Sequence, residues 1–307
     1  MIEGPAFFQT PRINSDISAE EFNRQFFQPE IPVIIEGSGL EWAAIKKWNP
    51  AYLRDRLSGK PGVNSVGLFL SLDSDILADD FTHPAFIKSL VDSPDIFPYK
   101  SNARIWTNTR NNISAWHYDN GVVNNFNAQI VGRKEWILIS PKTPPDCYPF
   151  SNFVIPESDE KILTNKIYTR CITKPGDILY LPPLWYHTVK SLDEVNINLM
   201  WVYTKRKSLI TTPALIRDER RYRMHKYLST HRLAVVRKMY SKLTSSMPAH
   251  LRIQWHYDQL IETGITHTPK SLMVWYLKEW SMIGKSILTM PKWLKQFKDA
   301  DRAIKLD

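Results

Sequence analysis

The stretch SAWHYDN at residues 114–120 decides how this chain is read, because its core WHYD (116–119) returns at 255–258 within HLRIQWHYDQLIE. His-x-Asp is a metal-binding pair only where both side chains face one way. Side chains at i and i+2 share a face in a strand and diverge by about 200° in a helix. His117 and Asp119 lie between the turn-prone pairs Asn111-Asn112 and Asn120-Gly121, in a region of strand-like runs, so they converge and can share an ion. Around the second copy, Leu251, Trp255 and Leu260-Ile261 recur at helical spacing. His256 and Asp258 therefore point apart, and the second copy reads as a helical coincidence.

A lone His-x-Asp in a strand is a weak signal, and a third residue strengthens it: His187, in KPGDILYLPPLWYHTVKSL (174–192). Two imidazoles and one carboxylate, with the remaining positions open, are the ligand set of non-haem Fe(II) oxygenases. A zinc hydrolase using the same three ligands is the competing metal reading.

Outward from these residues, 103–204 is a series of short strand-like runs: ARIWT, SAWHYD, FNAQIV, EWILIS, YTRCIT, DILYLP and NINLMWVY. Turns at Val131-Gly132-Arg133, Pro141–Pro145 and Pro175-Gly176-Asp177 separate them. Many short strands at this spacing imply a sandwich or barrel. Upstream, Ser18 with Glu21 forms a capping-box pattern for a short helix to about Phe27, and IPVIIEG (31–37) is a β-branched run. NPAYLRDRLSG (49–59) is a capped helix, and HPAFIKSL (83–90) is another. Downstream, Ala214–Leu243, 251–262 and 271–288 carry apolar residues at helical intervals. The expected organisation is an N-terminal α/β segment (1–102) packed on a β core (103–204), followed by a basic helical region (205–307).

The chain has 307 residues, 43% hydrophobic and 12% aromatic, enough for a sizeable core, which argues against a disordered chain. No run approaches the roughly 18 consecutive apolar residues of a membrane span, and MIEGPAFFQTPRINSD lacks the pattern of a signal peptide. An intracellular, cytoplasmic protein is expected, with the nucleus as the alternative. Cys147 and Cys171, the only cysteines, fit a reducing compartment, and neither has a His partner at useful spacing. The net charge of +9 is uneven: 205–307 holds 21 Lys+Arg against 8 Asp+Glu, net +13, and the remainder is net −4. RDERRYRMHKY (217–227) reads either as a phosphate-binding field or as the solvated face of a packing helix.

Taken in order, IPVIIEG, Trp42, KKWNPAYLRDRL (46–57), WHYD, NFNAQIVGRKEWILISP (125–141), PGDILYLPPLWYHTV (175–189) and NLMW (198–201) form a specific set. It resembles the JmjC/cupin-like branch of the Fe(II)- and 2-oxoglutarate-dependent dioxygenases, close in pattern to its asparaginyl hydroxylase and tRNA wybutosine hydroxylase members. The resemblance runs from about residue 30 to 204. It implies a mainly β fold with α additions, built on a double-stranded β-helix (jelly-roll, cupin) core with iron at its open end. It also implies Fe(II), 2-oxoglutarate as cosubstrate, and O2.

Residue by residue, His117, Asp119 and His187 match the family's iron ligands. Lys134 matches the lysine that pairs with the distal carboxylate of 2-oxoglutarate, and Asn125 falls at the spacing of a second polar contact to that acid. Ser114 sits where relatives carry a Thr or Ser that helps anchor it, and Asn198 resembles the asparagine of the last core strand. One departure stands out: the loop after Asp119 carries two extra residues within NGVVN (120–124), which bears on substrate geometry rather than on the chemistry.

The resemblance implies a hydroxylase of a protein or peptide side chain, giving succinate and CO2, with RNA or a small metabolite as alternative substrates. Demethylation of N-methyl lysine ranks lower, since nothing in the chain resembles a histone reader domain. Related hydroxylases use C-terminal helices for dimerisation, so the basic helices are expected to pack on the barrel or on a second subunit, the latter making a homodimer. The competing class is a non-catalytic barrel that presents its basic helices to nucleic acid. The complete set of His117, Asp119, His187 and Lys134 argues against it, and Lys134 has no purpose in a zinc hydrolase. Trp106, Trp116, Trp185 and Trp201 read as core packing.

Overall fold

The computed structural model describes residues 6–66, 69–72, 76–93, 96–98, 103–119, 122–147, 152–205, 212–245, 273–275 and 277–278. Its strands are β1 (Ala6–Gln9), β2 (Arg12–Asn14), β3 (Val33–Glu36), β4 (Val63–Val66), β5 (Phe69–Leu72), β6 (Ile96–Pro98), β7 (Ala103–Thr109), β8 (Val123–Val131), β9 (Lys134–Ile139), β10 (Ile167–Thr173), β11 (Ile178–Leu181), β12 (Tyr186–Ser191) and β13 (Val195–Lys205). Its helices are α1 (Ala19–Phe22), α2 (Ala43–Lys47), α3 (Pro50–Leu57), α4 (Ala85–Val91), α5 (Asp159–Leu163), α6 (Pro213–Ser229) and α7 (Ala234–Ser245).

Two sheets result. The smaller runs β1-β10-β9-β12, and the larger β2-β3-β11-β8-β13-β7-β5-β4, with β6 also paired to β13. Single bridges extend the smaller sheet beyond β12: Ile113 pairs with Lys190, His117 with His187 and Phe153, and Cys147 with Val154. Among the described residues no pairing joins the two sheets, so the expected jelly-roll core takes the form of a pair of facing sheets, the sandwich rather than the closed-barrel alternative.

The period-two alternation of the strands divides the molecule into layers. In β8, Phe126, Ala128 and Ile130 face an aromatic layer built with Phe22, Phe27, Trp42 and Trp48 from the N-terminal helices, and Ile197, Leu199 and Trp201 of β13 join it. Asn125 and Asn127 of β8, with Asn198 and Met200 of β13, face the other way, into a cavity between the sheets. Beside that cavity, Ile34, Leu179 and Leu181 of the larger sheet meet Trp136 and Leu138 of the smaller one. Ile137, Ile139 and Tyr186 point outward from the smaller sheet, where Ile162 of α5 and Ala214, Leu215 and Tyr222 of α6 cover them. Burying side chains of this size contributes about 1.5–3 kcal/mol each, so three apolar layers hold a polar cavity in place.

The local signals acted largely as expected. Ser18 accepts from the Glu21 amide at 3.1 Å, and Asn49 accepts from the Tyr52 amide at 2.9 Å to open α3 ahead of Pro50. The helix from Ala19 continues to Phe27 through a π-helical turn, Asn23–Phe27. The helical run from Ala214 breaks after Ser229 into α6 and α7. SAWHYD is no continuous strand: only Ile113 and His117 bridge to β12, yet those two bridges suffice to orient the His-x-Asp pair. The expected helices at 251–262 and most of 271–288, with His256 and Asp258, lie outside the described residues.

Candidate metal centre

His117 and His187 sit opposite one another across an antiparallel bridge. The His117 amide donates to the His187 carbonyl at 3.0 Å, and the His187 amide returns a bond to His117 at 2.7 Å. Directly opposite residues project to the same face. The two ring centroids are accordingly 4.3 Å apart, and Asp119, two residues along, joins them on that face. One candidate ligand atom from each of His117, Asp119 and His187 lies within 4.8 Å of the others.

Both imidazoles are held in the tautomer that suits a metal. Nδ1 of His117 lies 2.7 Å from the Ala115 carbonyl, and Nδ1 of His187 lies 3.0 Å from the Trp185 carbonyl. A carbonyl can only accept, so each Nδ1 carries the proton and each Nε2 keeps a free lone pair. Burial, reinforced by the neighbouring His187, pushes His117 down to about 4, so its ring is neutral at physiological pH. Burial acts to raise the Asp119 carboxyl, but His187, His117 and the Asn125 side chain outweigh it and hold Asp119 below the usual carboxylate value. A neutral imidazole and an ionised carboxylate are the forms that bind a cation.

Lys134 opens β9 and is 4% exposed. Its ammonium donates to Asn108 Oδ1 at 3.0 Å and to Asn198 Oδ1, and among the described residues no carboxylate lies within ion-pair distance. Burial pushes its pKa down to about 7. A buried cation with only neutral partners is costly unless something anionic joins it.

The structure brings all seven predicted site residues to one cavity, though not to one end of it. Asn125 serves the carboxylate end, donating to Asp119 Oδ2 at 2.8 Å, whereas Asn198 serves the lysine end. Ser114 Oγ accepts from the Val189 amide at 2.8 Å, which leaves its hydroxyl proton available to the cavity. Sequence reasoning missed Asn127, Asn108 and Asn112, which line the same space. Asn127 stands two residues from Asn125 on β8, so the same alternation that places Asn125 could have found it. Trp116, Trp185 and Trp201 pack in the apolar layers as expected, but Trp106 lines the cavity.

The outer face of the centre is clamped by α6. Tyr118, between the two ligands of the HYD run, donates to Asp218, and Arg217 donates to the Tyr186 hydroxyl and to the Pro145 carbonyl, the latter at 2.7 Å. Arg221 is fully buried, and burial lifts Asp218 to about 6. Part of the basic 217–227 stretch therefore faces inward; Arg223 and Lys226 face solvent.

Comparison with known proteins agrees with this geometry. Residues 67–208 match the model of the cupin-like domain. Arginine-specific demethylase JMJ22 of Arabidopsis thaliana is 25% identical over 240 residues, 63% of this chain and 46% of that protein. Lysine-specific demethylase 8 of Xenopus tropicalis is 24% identical over 226 residues, 60% of this chain and 51% of that protein. tRNA wybutosine-synthesizing protein 5 of Danio rerio is 30% identical over 134 residues, covering 41% and 38% respectively. The chain thus spans about half the length, or less, of these curated relatives. Over residues 67–208 the chain is thus similar to the cupin-like domain, in line with its two facing sheets.

Proposed function

We propose that this chain is an Fe(II)- and 2-oxoglutarate-dependent oxygenase that hydroxylates a side chain of a protein or peptide. The observation that carries the reading is Lys134, a buried ammonium without a carboxylate partner among the described residues, in the same cavity as His117, Asp119 and His187. The donor set fits the group it would hold. Two imidazoles and one carboxylate suit ferrous iron and leave positions open, and a dicarboxylate reaching from that face to Lys134 would supply the missing countercharge.

When bound, iron with 2-oxoglutarate and O2 supplies the oxidation of a C–H bond, releasing succinate and CO2. The chain's own residues do the rest. Asn125 holds Asp119 in place, the carbonyls of residues 115 and 185 fix the imidazole tautomers, and Lys134 with Ser114 receives the far carboxylate. The sheets exclude water from that acid, which makes the lysine's charge count for more. No side chain need act as a nucleophile or general base.

Relatives named arginine-specific demethylase, lysine-specific demethylase 8 and tRNA wybutosine-synthesizing protein 5 support a macromolecular substrate. Side chains of protein rank ahead of RNA, because Arg217 and Arg221 of the basic stretch are engaged inward and so weaken the case for a phosphate-binding face. Cys147 and Cys171, which form no disulfide with each other, support an intracellular, cytoplasmic setting, and exposed Leu233 just before α7, with Val235 and Met239 on it, supports packing against a second copy. The deciding experiment is a screen of peptide, RNA and metabolite pools for succinate release above uncoupled background, read with product mass. Turnover on RNA alone would replace the peptide reading; failure of the anaerobic protein to bind Fe(II) with 2-oxoglutarate would remove the oxygenase.

A further inference from the structure

Lys134 and Asp119 are joined by an unbroken series of three carboxamides. Lys134 donates to Asn198 Oδ1; Asn198 Nδ2 donates to Asn127 Oδ1 at 3.1 Å; Asn127 Nδ2 donates to Asn125 Oδ1 at 2.7 Å; Asn125 Nδ2 donates to Asp119 Oδ2 at 2.8 Å. Every donation runs from the ammonium toward the carboxylate. The ends impose that direction, since an ammonium has only hydrogens to give and an ionised carboxylate has only lone pairs. Flipping any one amide would set two donors against each other at one junction and two acceptors at the next. Bonds aligned head to tail also polarise one another, which strengthens the donor that reaches Asp119.

We propose that Asn127 is a positioning residue that ties the metal carboxylate to the dicarboxylate-binding lysine, orienting both through its two neighbouring amides. It is 4% exposed, and among the described residues its side chain hydrogen-bonds only to those of Asn125 and Asn198, so the effect of its carboxamide on Asp119 or Lys134 passes through them. The inference rests on reading His117, Asp119 and His187 as a metal site and deepens it: a neutral side chain two bonds removed from the ion sets its affinity.

The test uses the full chain without iron turnover. Mn(II) affinity is measured by the EPR signal of the free ion, and 2-oxoglutarate affinity of the metal-free protein by quenching of tryptophan fluorescence. Asn127→Leu keeps the volume and cuts the series. It is expected to weaken both affinities about tenfold, the scale of outer-sphere partners of a metal ligand, in a metal-free protein that stays folded with a thermal midpoint lowered by the amide groups left unpaired on Asn125 and Asn198. Asn127→Asp gives a second, sign-sensitive reading at about pH 8, above the ordinary carboxyl range. It still accepts from Asn198 but turns an acceptor on Asn125, so Mn(II) binding is expected to weaken although a negative charge has been added near a cation. The proposal is overturned if Asn127→Leu keeps Mn(II) affinity within about twofold, less than one typical hydrogen bond contributes. It is equally overturned if Asn127→Asp binds Mn(II) as tightly as wild type or more tightly. Wild-type protein that binds no Mn(II) would sink the metal reading instead, which keeps the two failures distinct.

Discussion

His117 and His187 exchange both main-chain hydrogen bonds of an antiparallel pair, at 3.0 and 2.7 Å, although seventy positions separate them in the chain. The backbone, and not the ion, therefore sets the spacing of the two imidazoles. The metal-free protein should keep its fold, and replacing either ligand should remove metal binding without unfolding it. His187→Ala is expected to lose more than about a hundredfold in Mn(II) affinity, beyond the loss seen for outer-sphere partners, with a nearly unchanged thermal midpoint. His256→Ala should retain one metal per chain. Metal analysis after gel filtration checks both.

Lys134 makes cosubstrate binding dependent on pH. In the free protein burial holds its pKa near 7, whereas a bound carboxylate favours the ammonium and raises it. The sign follows: below about 7 the lysine is already charged and affinity is flat, and above it each pH unit costs about tenfold in 2-oxoglutarate affinity, until the pKa of the complex is reached. Lys134→Met should bind the acid about 10–100-fold more weakly and lose the pH dependence, because a charged hydrogen bond of about 1.5–3 kcal/mol has gone. Fluorescence titration of the metal-free protein across pH would show a flat wild-type profile if the idea is wrong.

These two predictions draw on residues that the sequence already displayed, and the reason is physical. His-x-Asp on an extended segment, and an alternating run such as VNNFNAQIV, announce their faces by period alone. Asn108 was not legible because a polar residue at an inward strand position looks identical to one facing solvent, and only the opposing sheet reveals that it lines a cavity; Asn127 could have been read from Asn125 by alternation. β1 and β2 were missed for another reason. Each is three or four residues long and gains its stability from a parallel partner elsewhere, β10 and β3 respectively, so no local pattern marks it. The inward turn of Arg217 and Arg221 was likewise hidden, since a charge run normally signals a solvated face.

The clamp of α6 on the centre should be visible in stability. Tyr118→Phe leaves the buried Asp218 carboxyl without its hydroxyl donor and is expected to cost about 1–3 kcal/mol at neutral pH. Arg221→Ala should cost about 3–5 kcal/mol, as removal of one member of a buried charge cluster does, while Arg223→Ala on the exposed side should stay within about 0.5 kcal/mol. Denaturant melts would separate the three. If Arg221→Ala and Arg223→Ala behaved alike, α6 would not be docked as described.

Asp218 itself gives a stability profile of known sign. Its folded-state pKa of about 6 lies above the ordinary value of 3.8, so between those limits the native state binds more protons than the unfolded chain. Stability therefore falls as pH rises from about 4 to 6, by roughly 3 kcal/mol if the full shift acts, and is flat for this group above that window. The histidine and other carboxyl groups titrate nearby, so the comparison is with Asp218→Asn, which still accepts from Tyr118 but cannot ionise. The difference in unfolding free energy between wild type and variant should change by that amount across the window; a constant difference would show that Asp218 titrates normally.

Gly132 joins β8 to β9 and thus sets the distance between Asn127 and Lys134. Its φ is +71°, and a Cβ there would lie 2.4 Å from the Val195 carbonyl oxygen and 2.8 Å from Asn196 Oδ1. Both neighbours belong to β13, whose backbone cannot yield without moving Asn198, so Gly132→Ala must open the hairpin. The expected cost is about 1–3 kcal/mol in stability, from overpacking and from a left-handed conformation imposed on alanine. Because the displaced strand carries Lys134, 2-oxoglutarate affinity should fall with it, whereas Mn(II) affinity should fall less, since His117 and His187 pair with each other and not with this turn. Equal losses at both ends would mean that the hairpin positions the whole centre and not the lysine alone.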